Sequence, residues 1–410
     1  MLNLNVYAPP PSPALREKAD LAFQSLMARG DLGFLQLPER SKLWLASQKR
    51  GDEILAAANQ VCVVGIGGSS LGARAMADLS LDPSSILFFD SPDPKRFLLQ
   101  WGHLKDLSQV HWLWVSKSGS TLETLSLLQI VLQHYKQRGL CLASQSTVIV
   151  DRKQSPLASW AAQEKVVCLD IPEDVGGRFS ALTPAGLLPA RLLGWDLDDL
   201  RKGALWGREQ RELIGLLAAL SLESFQRQEW VTLMWAYGDA LMSSAYWWQQ
   251  LWSESLAKAH SRLGQAAPRV SSPFVLQGVQ DQHSLLQQVM EGERDKFIWF
   301  LSFEKSGPSA DDLKIENMDY DWGWPLVKRS LSDIFEAERM ATQTALKEQG
   351  VSLLDLKLSD SSPASFGAYV MVMEMLIGVL GELLEINAFD QPGVESGKKI
   401  VRKILAKPVV

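Results

Sequence analysis

Short β-branched and aromatic runs alternate along this chain with stretches whose apolar residues recur every three or four positions. Between residues 61 and 115, VCVV (61–64), ILFFD (86–90) and HWLWV (111–115) read as strands, and SLGARAMADLSL (70–81) and PKRFLLQWGHL (94–104) read as the helices between them. STVIVD (146–151) and KVVCLDI (165–171) continue the rhythm. A second series runs through EWVTLMWAY (229–237), a helix over ALMSSAYWWQQLWSESLAKA (240–259), DKFIWFLSF (295–303), a long helix over SDIFEAERMATQTALKEQ (332–349) and VSLLDLKL (351–358). Apolar strands alternating with amphipathic helices predict parallel sheets covered on both faces. The first 50 residues carry helical spacing in ALREKADLAFQSLMARG (14–30) and RSKLWLASQKR (40–50). The predicted fold class is α/β: two αβα sandwich domains over 51–195 and 196–386, a helical lead-in over 1–50, and a C-terminal loop and helix over 387–410.

Composition narrows the partners. The 410 residues have a formal charge of -6 with both signs dispersed, so no basic stripe points to nucleic acid, and a small molecule is the expected ligand. Cys62, Cys141 and Cys168 are far apart, each in or beside an apolar run. That usage suits a reducing compartment and excludes a disulfide framework. The opening MLNLNVYAPPPSP has no basic region followed by an apolar stretch, and the most hydrophobic segment, YVMVMEMLIGVLGELLEI (369–386), is interrupted by Glu374 and Glu382. A cytoplasmic protein with no membrane span is expected.

Two loops carry candidate chemistry. GIGGSSLG (65–72) follows a strand and opens a helix, the setting in which backbone N–H groups hold an anion. Gly65, Gly67 and Asp90 fit part of a dinucleotide fingerprint, but position 70 is serine, and no Lys-Ser or Lys-Thr follows to make a Walker loop. SKSGSTLET (116–124) places four hydroxyls within its first six residues, with a lysine and a glycine, at the next such junction but one. One hydroxyl suffices to cap a helix. In a doubly wound sheet both loops lie beyond the strands' carboxyl ends, where Ser69, Ser116, Ser118, Thr121 and the N–H groups around Lys117 would donate to one phosphate and Gly119 would admit it closely. For each hydroxyl, helix capping and ligand contact both remain open.

Four further stretches are polar where the pattern predicts core. Arg178 follows two glycines in GGRFSALTPAGLLPA (176–190) and is a candidate for stabilising negative charge. Glu254 lies among tryptophans in WWQQLWSESLAK (247–258), with Gln250 one turn earlier on the same face. Apolar surroundings would raise its proton affinity, as a general base near neutral pH requires. His283 stands at a loop-to-helix junction in GVQDQHSLLQQ (278–288), and Gln391 and Lys398 flank a helix start near Gly393 in FDQPGVESGKK (389–399).

Taken in order, these segments resemble glucose-6-phosphate isomerases, a family of two sugar-isomerase domains. VVGIGGSSLG resembles the family's first loop, VSKSGSTLET its phosphate loop, GGRFSALTPAGLLPA its arginine segment, QQLWSES its glutamate helix, GVQDQHSLLQQVMEG its histidine segment and FDQPGVESGKK its lysine segment. The resemblance implies interconversion of glucose 6-phosphate and fructose 6-phosphate with no metal or organic cofactor. It implies that Ser69, Ser116, Ser118 and Thr121, with Lys117 through its backbone, hold the phosphate, and that Gly68, Gly177, Gln250 and Gln391 contact substrate. By the same resemblance Glu254 moves the proton between C1 and C2, Arg178 stabilises the enediolate, and His283 and Lys398 assist ring opening. The family also implies a homodimer in which His283 reaches the partner's site. After Glu254 the chain reads SLAK, where the family usually carries Asn-Gly-Lys or Gly-Lys. Rival readings are an isomerase that also takes mannose 6-phosphate, a non-catalytic sugar-phosphate sensor and an NAD-dependent dehydrogenase.

Overall fold

A computed structural model describes residues 1–80, 82–151, 154–304 and 313–407. The predicted segment ends at 81 and 408–410 lie outside that range. β1 (Leu2–Val6) is followed by α1 (Pro13–Met27) and α2 (Ser41–Leu55). The first sheet comes next, with β2 (Gln60–Val64), α3 (Leu71–Asp78), β3 (Ile86–Phe89), α4 (Pro94–Gly102), β4 (Val110–Val115), α5 (Leu122–Gln137), β5 (Ser146–Val150), α6 (Pro156–Glu164) and β6 (Val167–Asp170). Its strands are all parallel, in the order β3-β2-β4-β5-β6. Every residue of β4, including His111 and two tryptophans, is buried, as a central strand covered on both faces must be.

Three helices, α7 (Pro184–Leu192), α8 (Leu197–Arg208) and α9 (Arg211–Gln226), lead to the second sheet. It contains β7 (Val231–Ala236), α10 (Met242–Leu256), β8 (Ser272–Gln277), α11 (Leu286–Glu291), β9 (Lys296–Phe303), α12 (Leu331–Glu348) and β10 (Leu353–Leu358). The chain closes on α13 (Pro363–Leu383) and α14 (Glu395–Leu405). The strand order is β1-β10-β9-β7-β8, with β1 antiparallel to β10 and the rest parallel.

Two of these strands were not anticipated. β1 lies in the segment expected to be helical, although its sequence LNLNV alternates strictly and its burial alternates with it. β8 holds Pro273, which suits an edge strand and obscures the strand pattern. α13 is long and apolar enough to cross a membrane, yet 94% of its apolar window is buried within the protein. It packs against α1, α8, α9 and α10 as the spine of the larger core.

Candidate active site

The two hydroxyl-bearing loops start side by side. β2 and β4 pair with Val64 opposite Trp114, so the loop after each leaves the sheet at the same edge. A Cβ added to Gly65 would stand 3.0 Å from the Val115 carbonyl oxygen. In the second loop Ser116 is buried, its Oγ 2.7 Å from Thr121 Oγ1. Thr121 is the N-cap of α5 with extended backbone, but its side chain makes no capping hydrogen bond. The N-cap hydroxyl is turned to Ser116, which leaves the positive end of a 16-residue helix without that acceptor. Gly119 has φ +59, and a Cβ there would lie 2.0 Å from Ser155 Oγ, so no larger residue fits. Ser118 is exposed and accepts hydrogen bonds from the Ser120 N–H (3.3 Å) and hydroxyl (3.1 Å), while Lys117 Nζ donates to the Glu173 carbonyl (3.2 Å).

The first loop also abuts the glutamate helix and the arginine segment. Ser69 closes the short turn Gly67–Ser69 and is half-buried. A Cβ on Gly67 would come 2.9 Å from Gln250 Nε2, and one on Gly68 would come 2.3 Å from the Gly177 carbonyl oxygen. Ser180 Oγ bridges that contact, 3.0 Å from the Gly68 carbonyl oxygen and 2.6 Å from that of Gly177.

α10 divides its faces by chemistry. Trp248 and Trp252 pack on Trp299 of β9 with ring centroids 6.0 and 5.9 Å away, and Trp247 packs on Tyr369 of α13. Trp248 and Trp252 anchor the helix to the second sheet and Trp247 anchors it to α13, while Gln250 and Glu254 meet polar partners. Gln250 Nε2 donates to Glu254 Oε1 at 3.0 Å, and Arg178 Nη1 stands 3.4 Å from Glu254 Oε2. The expectation of a carboxylate enclosed by apolar rings is therefore corrected: an amide and a guanidinium bracket it, while Trp248 and Trp252 project from other sides of the helix onto Trp299, and Trp247, two turns earlier, is taken up by Tyr369.

Arg178 is the hub. It is 2% exposed and spends its donors on five acceptors: Ser255 Oγ (2.6 Å), Gln391 Oε1 (2.7 Å), Glu254 Oε2 (3.4 Å) and the carbonyls of Ala388 (2.6 Å) and Asp390 (3.1 Å). Burial lowers its proton affinity, and the charges of Glu254 and Asp390 oppose that loss. Ser255 was not picked out from the sequence, although its place beside Glu254 was the available signal. Gln391 thus meets Arg178 across 213 residues of chain. His283 and Lys398 stand at the surface instead, His283 at the end of the turn Gln280–His283 beyond edge strand β8 and Lys398 in the first turn of α14. No described hydrogen bond joins His283 to Glu254 or Arg178. A cavity of about 550 Å³ opens beside the hub, lined in part by Lys117, Gly176, Phe389, Asp390, Arg29 and Arg262.

The chain is similar to several known proteins. The glucose-6-phosphate isomerase of Thermus thermophilus is 35% identical over 389 residues, spanning 92% of this chain and 90% of that protein. The chain belongs to the glucose-6-phosphate isomerase family. The family's isomerase from Carboxydothermus hydrogenoformans is 32% identical over 424 residues, spanning 96% of this chain and 87% of its own. A phosphoglucose isomerase family profile matches residues 343–409. The crystal structure of a hypothetical protein from Thermus thermophilus superposes with a TM-score of 0.90 at 33% identity, covering 99% of this chain and 100% of that one. A glucose-6-phosphate isomerase from Chlamydia trachomatis shares the fold at a TM-score of 0.82 and 19% identity, over 98% of this chain and 88% of its own.

Proposed function

We propose that this chain interconverts glucose 6-phosphate and fructose 6-phosphate, an aldose–ketose isomerisation, with Glu254 as the base. The observation that carries the reading is the junction of Glu254, Arg178 and Gln391 beside two anion-suited loops. In the open-chain aldose, Glu254 takes the proton from C2 while O1 gains one, and the resulting enediol receives the proton back at C1 from Glu254 as O2 gives up its own, which leaves the C2 carbonyl of the ketose. A positioned base is worth about 10²- to 10⁴-fold in rate. Arg178 offsets the charge that develops on the substrate oxygens, and its contact to Glu254, the longest of its five, is the donor most readily shared with substrate. Ser69, Ser116, Ser118, Thr121 and the Lys117 backbone bind the phosphate end, and Gly68 and Gly177 contact the substrate. Gln250 and Gln391 orient the reacting end, so that binding energy far from the chemistry holds C1 and C2 in place.

The same reading assigns ring opening to His283 and Lys398 and makes the enzyme a homodimer. His283 lies exposed just past an edge strand, and Val279, four residues before it, has φ +64, a strained conformation for a β-branched residue. Ile400, Val401, Ile404 and Leu405 of α14 are exposed as well, an apolar face suited to a second copy. The decisive experiment supplies purified protein with fructose 6-phosphate, without added metal, and measures glucose 6-phosphate. Its absence at saturating substrate removes the proposal.

A further inference from the structure

Lys258 lies just beyond the C-terminal end of α10 with its side chain 6% exposed. An ammonium has three N–H donors, and all three are engaged here. One meets the Glu254 carbonyl at 2.9 Å, one meets Asp390 Oδ1 at 3.0 Å, and the third makes a short contact with the Asp390 carbonyl. That carbonyl also accepts from Arg178 Nη2 at 3.1 Å. Two cations on different elements therefore converge on one peptide group, and the residue after it is Gln391, whose Oε1 meets Arg178 Nη1. Asn387 Nδ2 closes the same loop onto Asp390 Oδ2 at 2.8 Å. Placing a cation on the last carbonyls of a helix is favourable in itself. Burying it is not, and burial lowers the Lys258 proton affinity while Asp390 works against that effect. A buried cation that turns two of its three donors to one loop is costly unless the loop's placement matters.

We propose that Lys258 is a positioning residue of the isomerase: by tying Asp390 to the end of α10 it sets residues 388–391 so that Gln391 and Arg178 meet Glu254 in register. This rests on the assignment of Glu254 as the base. Lys258 does not touch the reacting carbons, and its effect passes through the loop and through the carbonyl of the base's own residue. Misplacement of a catalytic constellation by about 1 Å costs on the order of 10²-fold in rate. The loss should therefore appear in kcat, while phosphate binding, which depends on loops elsewhere, is preserved.

The test compares Lys258→Met, Lys258→Arg, Asp390→Asn and Glu254→Gln in the full-length protein, measuring kcat and KM for fructose 6-phosphate, binding of 6-phosphogluconate and the melting temperature. Lys258→Met should lose about 10- to 100-fold in kcat with a much smaller change in KM. Asp390→Asn, nearly isosteric and at the surface, should lose in the same direction. Lys258→Arg should recover most of the rate. An unchanged kcat in Lys258→Met, beside an inactive Glu254→Gln, would overturn the positioning role while leaving the base assignment standing. An active Glu254→Gln would instead overturn the assignment on which the proposal rests. Equal losses of kcat, 6-phosphogluconate binding and melting temperature in both Lys258→Met and Asp390→Asn would show a purely structural tie and refute it too.

Discussion

Glu254→Gln keeps the shape of the side chain and its hydrogen bond to Gln250 but cannot take a proton from carbon. Isomerisation should fall by at least about 10²-fold, with 6-phosphogluconate binding retained by titration. Gly119→Ala acts differently: it forces a side chain into φ +59 and onto Ser155 Oγ. Such backbone strain costs about 1–2 kcal/mol, so the variant should show a raised KM for fructose 6-phosphate and a lowered melting temperature with the chemical step little changed. At this scale the sequence was legible where a motif carried local meaning. The glycine loops, the hydroxyl cluster and the helical spacing of Gln250 and Glu254 each stated their geometry. It was opaque where one residue serves another across the chain. Ser255 reads as a small helical residue, and only the folded structure shows that it holds the Arg178 Nε.

Most elements could be read because burial imposes a period. β4 and β9 are mostly apolar, almost wholly buried, and lie in sheet interiors, whereas β1 and β8 are edges with about half their residues outward or a proline near the start. α13 contains a consequence that periodicity alone does not give. Glu374 is fully buried in it, neither carboxyl oxygen has a described partner, and burial raises its pKa well above 4.5. The folded state therefore holds this proton at pH values where the unfolded chain has released it. The contribution is undiminished below pH 4.5 and is lost as pH rises, by about 1.4 kcal/mol per pH unit until the folded-state pKa is reached. Denaturant titrations should show this slope flattened in Glu374→Gln. His111 works in the opposite direction. Buried in β4 beside Thr147 and Arg50, it is held down to about 3, so its contribution is present above 6.5 and is lost as pH falls toward 3. His111→Gln should remove that acid-side loss in the same titrations.

The whole molecule sets its chemistry where two sheets meet. α3 and the first loop approach α10 from one sheet, while α10 is anchored to the other by its indoles. If His283 serves the partner's site, mixing Glu254→Gln subunits with His283→Ala subunits should restore activity that neither has alone, because each mixed dimer rebuilds one intact site. Assay before and after subunit exchange checks this, and Ile404→Asp on the apolar face of α14 should shift sedimentation toward monomer. The strand at residues 2–6 has a further effect. It seals the flank of β10, whose partner residues lie some 350 positions downstream, as in the pairing of Leu2 with Leu358. During synthesis residues 2–6 stay unpaired until nearly the whole polypeptide has emerged and β10 has formed to receive them. Trimming residues 2–6, or burying them under an expression tag, would bare a row of unsatisfied amides and carbonyls and favour sticking between molecules over solubility.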